Sequence, residues 1–226
     1  GSLRTILSTL LLLIIGYSSI KTIPKNKWKW IAITGYVSFI PPFLFAYAQT
    51  EIDSALAAIL NSLTPLATLL IGIGFYRFKI DSKQISGVIL GLIGSVLLMY
   101  QGSIINPDQN IVYVIFIILA SILYALQVNL LKVYLQDVSA VAITVGNFIF
   151  IFPFAVIIFF MTDYNELDLN DKDVSSALFY ILILSIFGTV FAKILFNKFV
   201  QIASPVFVSS VTYTLPVIAL FWGLLD

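Results

Sequence analysis

SALAAILNSLTPLATLLIGIGFY, residues 54–76, contains no Asp, Glu, Lys or Arg. A helix needs about 20 apolar residues to cross a hydrocarbon core, and this run supplies them. Seven further charge-free runs flank it, at 5–20, 30–50, 84–107, 109–131, 138–162, 174–192 and 199–225. All but the first reach spanning length, and the charges around the first can snorkel to the interface. A transmembrane β-barrel would alternate polar with apolar residues in segments of about ten. LSTLLLLIIG (7–16) and FIFIFPFAVIIFF (148–160) do not alternate. The sequence therefore predicts an all-α polytopic membrane protein with eight transmembrane helices, joined by short connections. The first run precedes a basic loop and more spans, so it reads as a span and not as a cleaved leader.

Composition points the same way. The chain has 226 residues, 60% hydrophobic and 10% charged, with a mean hydropathy of +1.06. A soluble domain is roughly 25% charged, so lipid must cover the apolar excess. A net charge of +1 gives no electrostatic case for nucleic acid. Cysteine and histidine are absent. Disulfides, thiol chemistry and the commonest metal ligand go with them, so no cofactor and no metal is expected. Without His, Cys or any Asp or Glu deep in a span, intramembrane catalysis lacks its acid–base and nucleophilic parts. No enzyme is expected, nor coupling through a buried carboxylate.

Lys and Arg are retained on the cytoplasmic side. Lys21, Lys25, Lys27, Lys29, Arg77, Lys79, Lys83, Lys132, Lys193 and Lys198 fall in alternate connections. The opposite face holds only Arg4 and Lys172, with Glu51, Asp53, Asp108 and the acidic run 163–173. Loops 21–29, 77–83, 132–137 and the region around 198 are thus expected to be cytoplasmic, in a plasma (inner) membrane. The N-terminus then lies outside, which predicts a further span upstream.

An offset of 151 residues superposes the chain on itself. Pro65 meets Pro216, Gly72 meets Gly223, Leu69 meets Leu220 and Phe45 meets Phe196. Thr34 meets Ser185, Ser38 meets Thr189 and Asn61 meets Thr212. The matched spans are the second and third against the seventh and eighth, so the repeat unit is five helices. An odd unit inverts on repetition. The charge agrees: the loop between matched spans is acidic in one copy (Glu51, Asp53) and basic in the other (Lys198). Inverted repeats are a transporter architecture built around a midplane site.

ALAAILNSLTPLATLLIGIGF (55–75) followed by ISGVILGLIGSVLL (85–98) resembles the first repeat of the EamA family, in the drug/metabolite transporter superfamily. FAKILFNKFVQIASPVFVSSVTYTLPVIALFWGLLD (191–226) resembles the second. The resemblance implies a ten-helix carrier of two inverted five-helix repeats, at 1–101 and 102–226, lacking its first and last helices here. It implies export of amino acids or related small metabolites through a central cavity between the repeats. The partners implied are membrane lipid and a small-molecule substrate; oligomeric state is open, and a monomer is consistent with it.

Asn61, Thr64, Pro65 and Thr68 share one helical face. Pro65 has no N–H, so the carbonyl of Asn61 loses its helical partner. In lipid that is tolerated only where protein or water fills the gap. Ser209, Thr212, Tyr213 and Pro216 repeat the pattern and would free the carbonyl of Thr212. Either these broken helices line a cavity or they are kinks bonded to neighbours; agreement of the two copies favours the cavity. Thr34, Ser38 and Pro42 add a matched stripe, as do Ser185, Thr189, Lys193 and Asn197. Lys193, about one turn from the cytoplasmic end, either snorkels or supplies a counter-charge for a carboxylate. Tyr124 and Gln127 share a face of the fifth span, as cavity lining or as packing. Asn147 with Thr144 and Pro153 reads as packing or a kink. Gly87, Gly91 and Gly94 read as a packing stripe. The residues expected at the cavity are Ser38, Asn61, Thr64, Tyr124, Gln127, Thr189, Lys193, Thr212 and Tyr213, with helix breaks at Pro42, Pro65 and Pro216. A receptor, scaffold or channel is the competing reading, and the local, midplane polar stripes argue against a continuous channel lining.

Overall fold

Backbone groups in hydrocarbon find no water, so each charge-free run must close its hydrogen bonds internally. The computed structural model describes residues 1–79, 81–101, 111–161 and 172–218, and every regular element among them is helical. Leu220, Gly223, Asp108, Asp226 and most of the acidic loop lie outside the described residues.

The helices are α1 (Ser2–Ile20), α2 (Trp28–Ala48), α3 (Ser54–Asn61), α4 (Thr64–Gly74), α5 (Ser82–Gln101), α6 (Ile111–Tyr134), α7 (Ala140–Phe160), α8 (Lys172–Ile183), α9 (Ala192–Ile202) and α10 (Pro205–Ser209). A π-helical stretch, Leu184–Phe191, joins α8 to α9, and a 3₁₀ turn, Ser210–Thr214, follows α10. Six stretches are long and apolar enough to cross a membrane: Ser2–Ile20, Lys25–Ala48, Leu56–Gly74, Ile111–Tyr134, Ala140–Phe160 and Val174–Ile202. Ser82–Leu97 and Pro205–Ile218 are shorter apolar helices. The chain is a multi-pass membrane protein.

The boundaries of these elements have local causes. Ser139 caps α7 by accepting the Ala142 N–H at 3.2 Å, and Ser204 caps α10 by accepting the Phe207 N–H at 3.2 Å. Pro65 and Pro205 sit in first turns, where a missing N–H costs nothing. The end of α4 is closed by Arg77, whose φ of 53° is left-handed. That conformation returns the Arg77 N–H to Ile73 O (3.2 Å) and the Phe78 N–H to Gly72 O (3.0 Å). Helix starts also respect the repeat offset: α3 begins at Ser54 after Asp53, and α10 begins at Pro205, 151 residues on, after Ser204.

Two features differ from expectation. Helix α9 runs to Ile202, so the helix extends about 13 Å beyond Lys193. Lys193 is therefore not one turn from a helix end. Charges had marked the boundary, but a helix continues through them once it reaches the interface. Helix α2 is continuous through Pro41 and Pro42, so the chain does not break at Pro42.

By packing, the chain forms two units, Gly1–Tyr36 with Tyr134–Gln201, and Val37–Val133 with Ile202–Asp226. In the first, α1 packs along α7 and against the π stretch. Ser8 Oγ donates to Ser185 O, and Ser185 Oγ donates to Arg4 O, each at 3.4 Å. The Asn147 amide donates to Ile31 O (2.8 Å) and Thr34 Oγ1 (3.2 Å). Gly35 sits against the Asn147 backbone, where a Cβ would come within 3.1 Å of its carbonyl oxygen. Lys27 Nζ donates to Tyr134 O (2.8 Å) and pairs with Asp137 at 2.7 Å. Trp30 stacks on Tyr134 with centroids 3.5 Å apart, and Gln201 Nε2 donates to Val138 O at 2.6 Å. Loop 21–29, loop 135–139 and the end of α9 thus meet at one end of this unit.

In the second unit, Ala48, Ile52, Leu56, Ala57 and Ile117 form one buried cluster, and Leu69, Val88 and Val206 another. Lys132 Nζ donates to Ala203 O at 2.8 Å and Gln84 Nε2 to Ser204 Oγ at 3.2 Å. These contacts gather the basic connections at one end here too. Of the three glycines on α5, only Gly91 makes a close approach, with the Tyr213 ring lying where its Cβ would be. Gly87 and Gly94 face open space. Tyr213 is fixed there by its hydroxyl, which donates to Val88 O at 2.9 Å.

Gly91→Ala should cost about 1–3 kcal/mol by overpacking against Tyr213, while Gly94→Ala should leave the midpoint of thermal unfolding in detergent unchanged. Equal effects of the two would remove the close contact. The Lys27 ammonium holds the Asp137 carboxyl below its ordinary range through their hydrogen bond. The depressed value means that this stabilisation is present at neutral pH. It disappears as pH falls below the unfolded value, about 3.9, through the folded one. Asp137→Asn should therefore lower the midpoint slightly at pH 7, by under about 1 kcal/mol for so exposed a pair, and the gap should close in acid.

Candidate functional site

The second unit contains an open cavity of about 420 Å³. Helix α2 contributes Phe45 and Gln49, α3 contributes Ser54, Ala57, Ala58 and Asn61, α6 contributes Tyr124, and the stretch after the 3₁₀ turn contributes Leu215 and Ile218. The α3 residues follow the i, i+3, i+4, i+7 pattern of one helical face. The Phe45 and Tyr124 rings stack with centroids 6.3 Å apart. The wall is mainly apolar, with the side chains of Gln49, Ser54, Asn61 and Tyr124 set into it. A few hydrogen-bonding groups in an apolar cleft is the usual composition of a small-molecule site. Gln49 and Ser54 place the cavity toward the end that carries Glu51 and Asp53.

Asn61 sits at the helix break. It is the last residue of α3, and α4 begins at Thr64, with Pro65 in its first turn. The Ser62 N–H turns back to Ala58 O (3.2 Å) and Ile59 O (2.9 Å), and Thr64 Oγ1 donates to Asn61 Oδ1 at 3.2 Å. The Asn61 amide is thus held by Thr64 with its N–H₂ end uncommitted to that bond. At the corresponding place in the repeat the chain tightens instead of breaking. The Leu215 N–H reaches Thr212 O, so the carbonyl expected to be freed by Pro216 accepts a 3₁₀ bond.

The other expected site residues are placed as follows. Thr64 and Ser38 are buried. Gln127 is only 1% exposed, and its Nε2 has no hydrogen-bond partner among the described residues. Thr212 Oγ1 donates to Ser209 O at 2.9 Å within its own helix, and Tyr213 is committed to α5. Thr189 and Lys193 belong to the first unit. Thr189 Oγ1 donates to Leu184 O, five residues back, at 3.4 Å, a bond that follows the π register. Lys193 is half-buried and, among the described residues, makes no hydrogen bond or ion pair. Along the same stretch Ser185 bonds to α1, whereas Asn197 Nδ2 donates to Thr144 Oγ1 of α7 at 2.9 Å. Among the described residues no group of three or more Asp or Glu could hold a metal.

Of the expected residues, Asn61 and Tyr124 line the cavity together. Gln49, Ser54 and Phe45 were not anticipated. Their signal was present: Ser38, Pro42, Phe45 and Gln49 continue one stripe at spacings of four, three and four. The stripe of polar residues ends at Pro42 only if Phe45 is taken as a break in it.

The EamA-like transporter family matches residues 1–100 and 111–225. The chain belongs to that family. It is therefore a membrane transporter of the drug/metabolite transporter superfamily, whose members are transporters and not enzymes. A solved crystal structure described only as "Crystal structure of protein" matches with a TM-score of 0.74 at 14% identity, covering 99% of this chain and 77% of that one. At that identity the likeness concerns the fold alone. A search of curated proteins returns no match. For an EamA-family transporter, lipid surroundings and a small-molecule substrate follow.

A polar group stranded in the interior lowers stability, so Gln127→Met should raise the unfolding midpoint, equivalent to about 1 kcal/mol. A lower midpoint would show that the amide is bonded.

Proposed function

We propose that this chain is the second to ninth helices of a ten-helix carrier that exports amino acids or related small metabolites by alternating access. The cavity at Asn61 and Tyr124 carries this reading: an amide and a phenol converge in an apolar wall beside a helix break, in a chain of a transporter family. A zwitterionic or aromatic solute suits that lining. Ser38, Thr64, Gln127 and Thr212 would line the route in the second unit. Thr189 and Lys193 would do so in the first, with Lys193 as the counter-charge for a carboxylate. Its lack of an ion partner among the described residues supports that role. Pro65 and Pro216 would mark helix discontinuities at which the two halves move; Pro42, inside a continuous helix, would act as a bend. Tyr213, anchored over Gly91, would hold the cavity wall from behind.

The two halves would be inverted five-helix repeats, 1–101 and 102–226. Helix starts at Ser54 and Pro205, 151 residues apart, support that pairing. The protein would lie in the plasma membrane with loops 21–29, 77–83, 132–137 and the region around 198 cytoplasmic. The gathering of basic connections at one end of each unit supports that orientation. The cavity, toward Glu51 and Asp53, would then open outward.

Counterflow in liposomes against an amino-acid panel tests the proposal. Labelled solute should exchange against unlabelled solute. Tyr124→Ala and Asn61→Ala should each reduce exchange roughly tenfold, the equivalent of one lost hydrogen bond or stacking contact. Lys193→Gln should abolish exchange of carboxylate solutes at unchanged expression. Saturable binding without exchange would favour a receptor or scaffold, and ionic current a channel. Wild-type exchange in all three variants would move the site elsewhere.

A further inference from the structure

The cavity at Asn61 has a direction. Gln49 is exposed, whereas Asn61 is buried, at 8% exposure. Ser54 and Asn61 stand seven residues apart on α3, about 10 Å along its axis. Gln49 and Ser54 therefore mark the mouth and Asn61 the inner end. Four residues inward of Gln49 is Phe45, whose ring plane lies 27° from that of Tyr124. These rings offer flat apolar area to a further ring.

The chemistry of the inner end is that of one carboxamide. Asn61 Oδ1 accepts the Thr64 hydroxyl at 3.2 Å, which uses one of its two lone pairs. The second lone pair and both N–H donors make no bond to any described residue. Asn61 thus presents a donor and an acceptor side by side in one plane. The complementary edge has an acceptor beside a donor. An uncharged amide has that edge and can meet Asn61 through two parallel hydrogen bonds, as an Asn side chain meets the edge of adenine. A carboxylate has two acceptors, and one of them would face the Asn61 oxygen. An alcohol fills one position and leaves the other unpaired, which is unfavourable at a buried group.

We propose that the inner end of this cavity binds a flat aromatic ring carrying an uncharged amide, the ring against Phe45 and Tyr124 and the amide paired with Asn61. The inference rests on the reading of this cavity as the solute site, and it narrows the solute to the aromatic class.

The test is equilibrium binding of tritiated nicotinamide to the full chain in lipid nanodiscs, by scintillation proximity. Nicotinamide should bind saturably. Unlabelled nicotinate, the same ring with a carboxylate, should compete at least roughly tenfold more weakly, since one hydrogen bond becomes a repulsion. Acetamide, the amide without the ring, should also compete roughly tenfold more weakly, through loss of one stacked ring. Asn61→Leu and Tyr124→Leu should each weaken nicotinamide binding roughly tenfold. Ser95→Ala, which removes a hydroxyl that donates to Gly91 O at 3.0 Å within α5, should bind as wild type. Absence of saturable nicotinamide binding, nicotinate competing as well as nicotinamide, or wild-type binding by Asn61→Leu would overturn the proposal. The competition needs no variant, so it decides even if Asn61→Leu does not fold. Amino-acid exchange in liposomes without nicotinamide binding would remove this solute class and keep the carrier. Nicotinamide binding without exchange of any solute would keep the site and remove the carrier.

Discussion

Every hydrogen-bonding group of the backbone must find a partner inside the protein wherever lipid surrounds it. The rest of the structure depends on that constraint, and prolines are where it is tested. At Pro65 the chain ends one helix and starts another, with the Ser62 N–H turned back onto α3. At Pro216 it tightens, so that Leu215 supplies the bond that proline cannot. The same problem at corresponding places in the repeat has two solutions. Only the first leaves a side-chain amide at a helix end, and that amide, Asn61, is the one found in the cavity with Tyr124.

Lipid as solvent also mixes polar residues into the buried set and leaves large apolar ones exposed. The residues most completely buried include Ser8, Thr34, Ser62, Thr68, Asn129 and Ser185, while Ile14, Phe75 and Phe160 are about 80% exposed. Apolar surface gains little by leaving lipid, so helices associate through close packing and polar contacts. Gly35 against Asn147 and Gly91 against Tyr213 are such approaches. Buried polarity within the spans thus helps hold the helices together, beside the apolar clusters. A polar residue in a span is not a site on that ground alone.

This explains what the sequence revealed and what it did not. Absence of charge located the spans, because a charge in hydrocarbon is costly whatever the packing. Charge was a poorer guide to where helices end: Lys193 and Lys198 lie within α9, which carries on to Ile202. The π stretch at Leu184–Phe191 was invisible, since a search at spacings of three and four has no place for a bond five residues back. Gln49 and Ser54 were missed because they sit at a span boundary, where polar residues are ordinary. Tyr213 shared a sequence stripe with Thr212, yet its long side chain reaches α5, a destination that spacing along one helix does not contain.

Hydroxyls and amides therefore carry unequal information in these spans. Thr9, Thr68, Ser95, Thr144 and Thr212 each donate to a carbonyl three or four residues back in their own helix. A hydroxyl has one proton, and that bond uses it. An amide carries two donors and an acceptor oxygen with two lone pairs, more than its own helix can satisfy. Asn129 Nδ2 reaches both Thr68 O and Ala125 O, and its Oδ1 is still without a partner among the described residues. Gln127 Nε2 and Asn197 Oδ1 are in the same condition. Burial at such a price persists where a neighbour or a ligand makes use of the spare capacity. Asn129 and Asn197 spend part of theirs joining helices. Asn61 accepts a single side-chain bond, from Thr64, and lines an open cavity, so its two amide donors are not used by that bond.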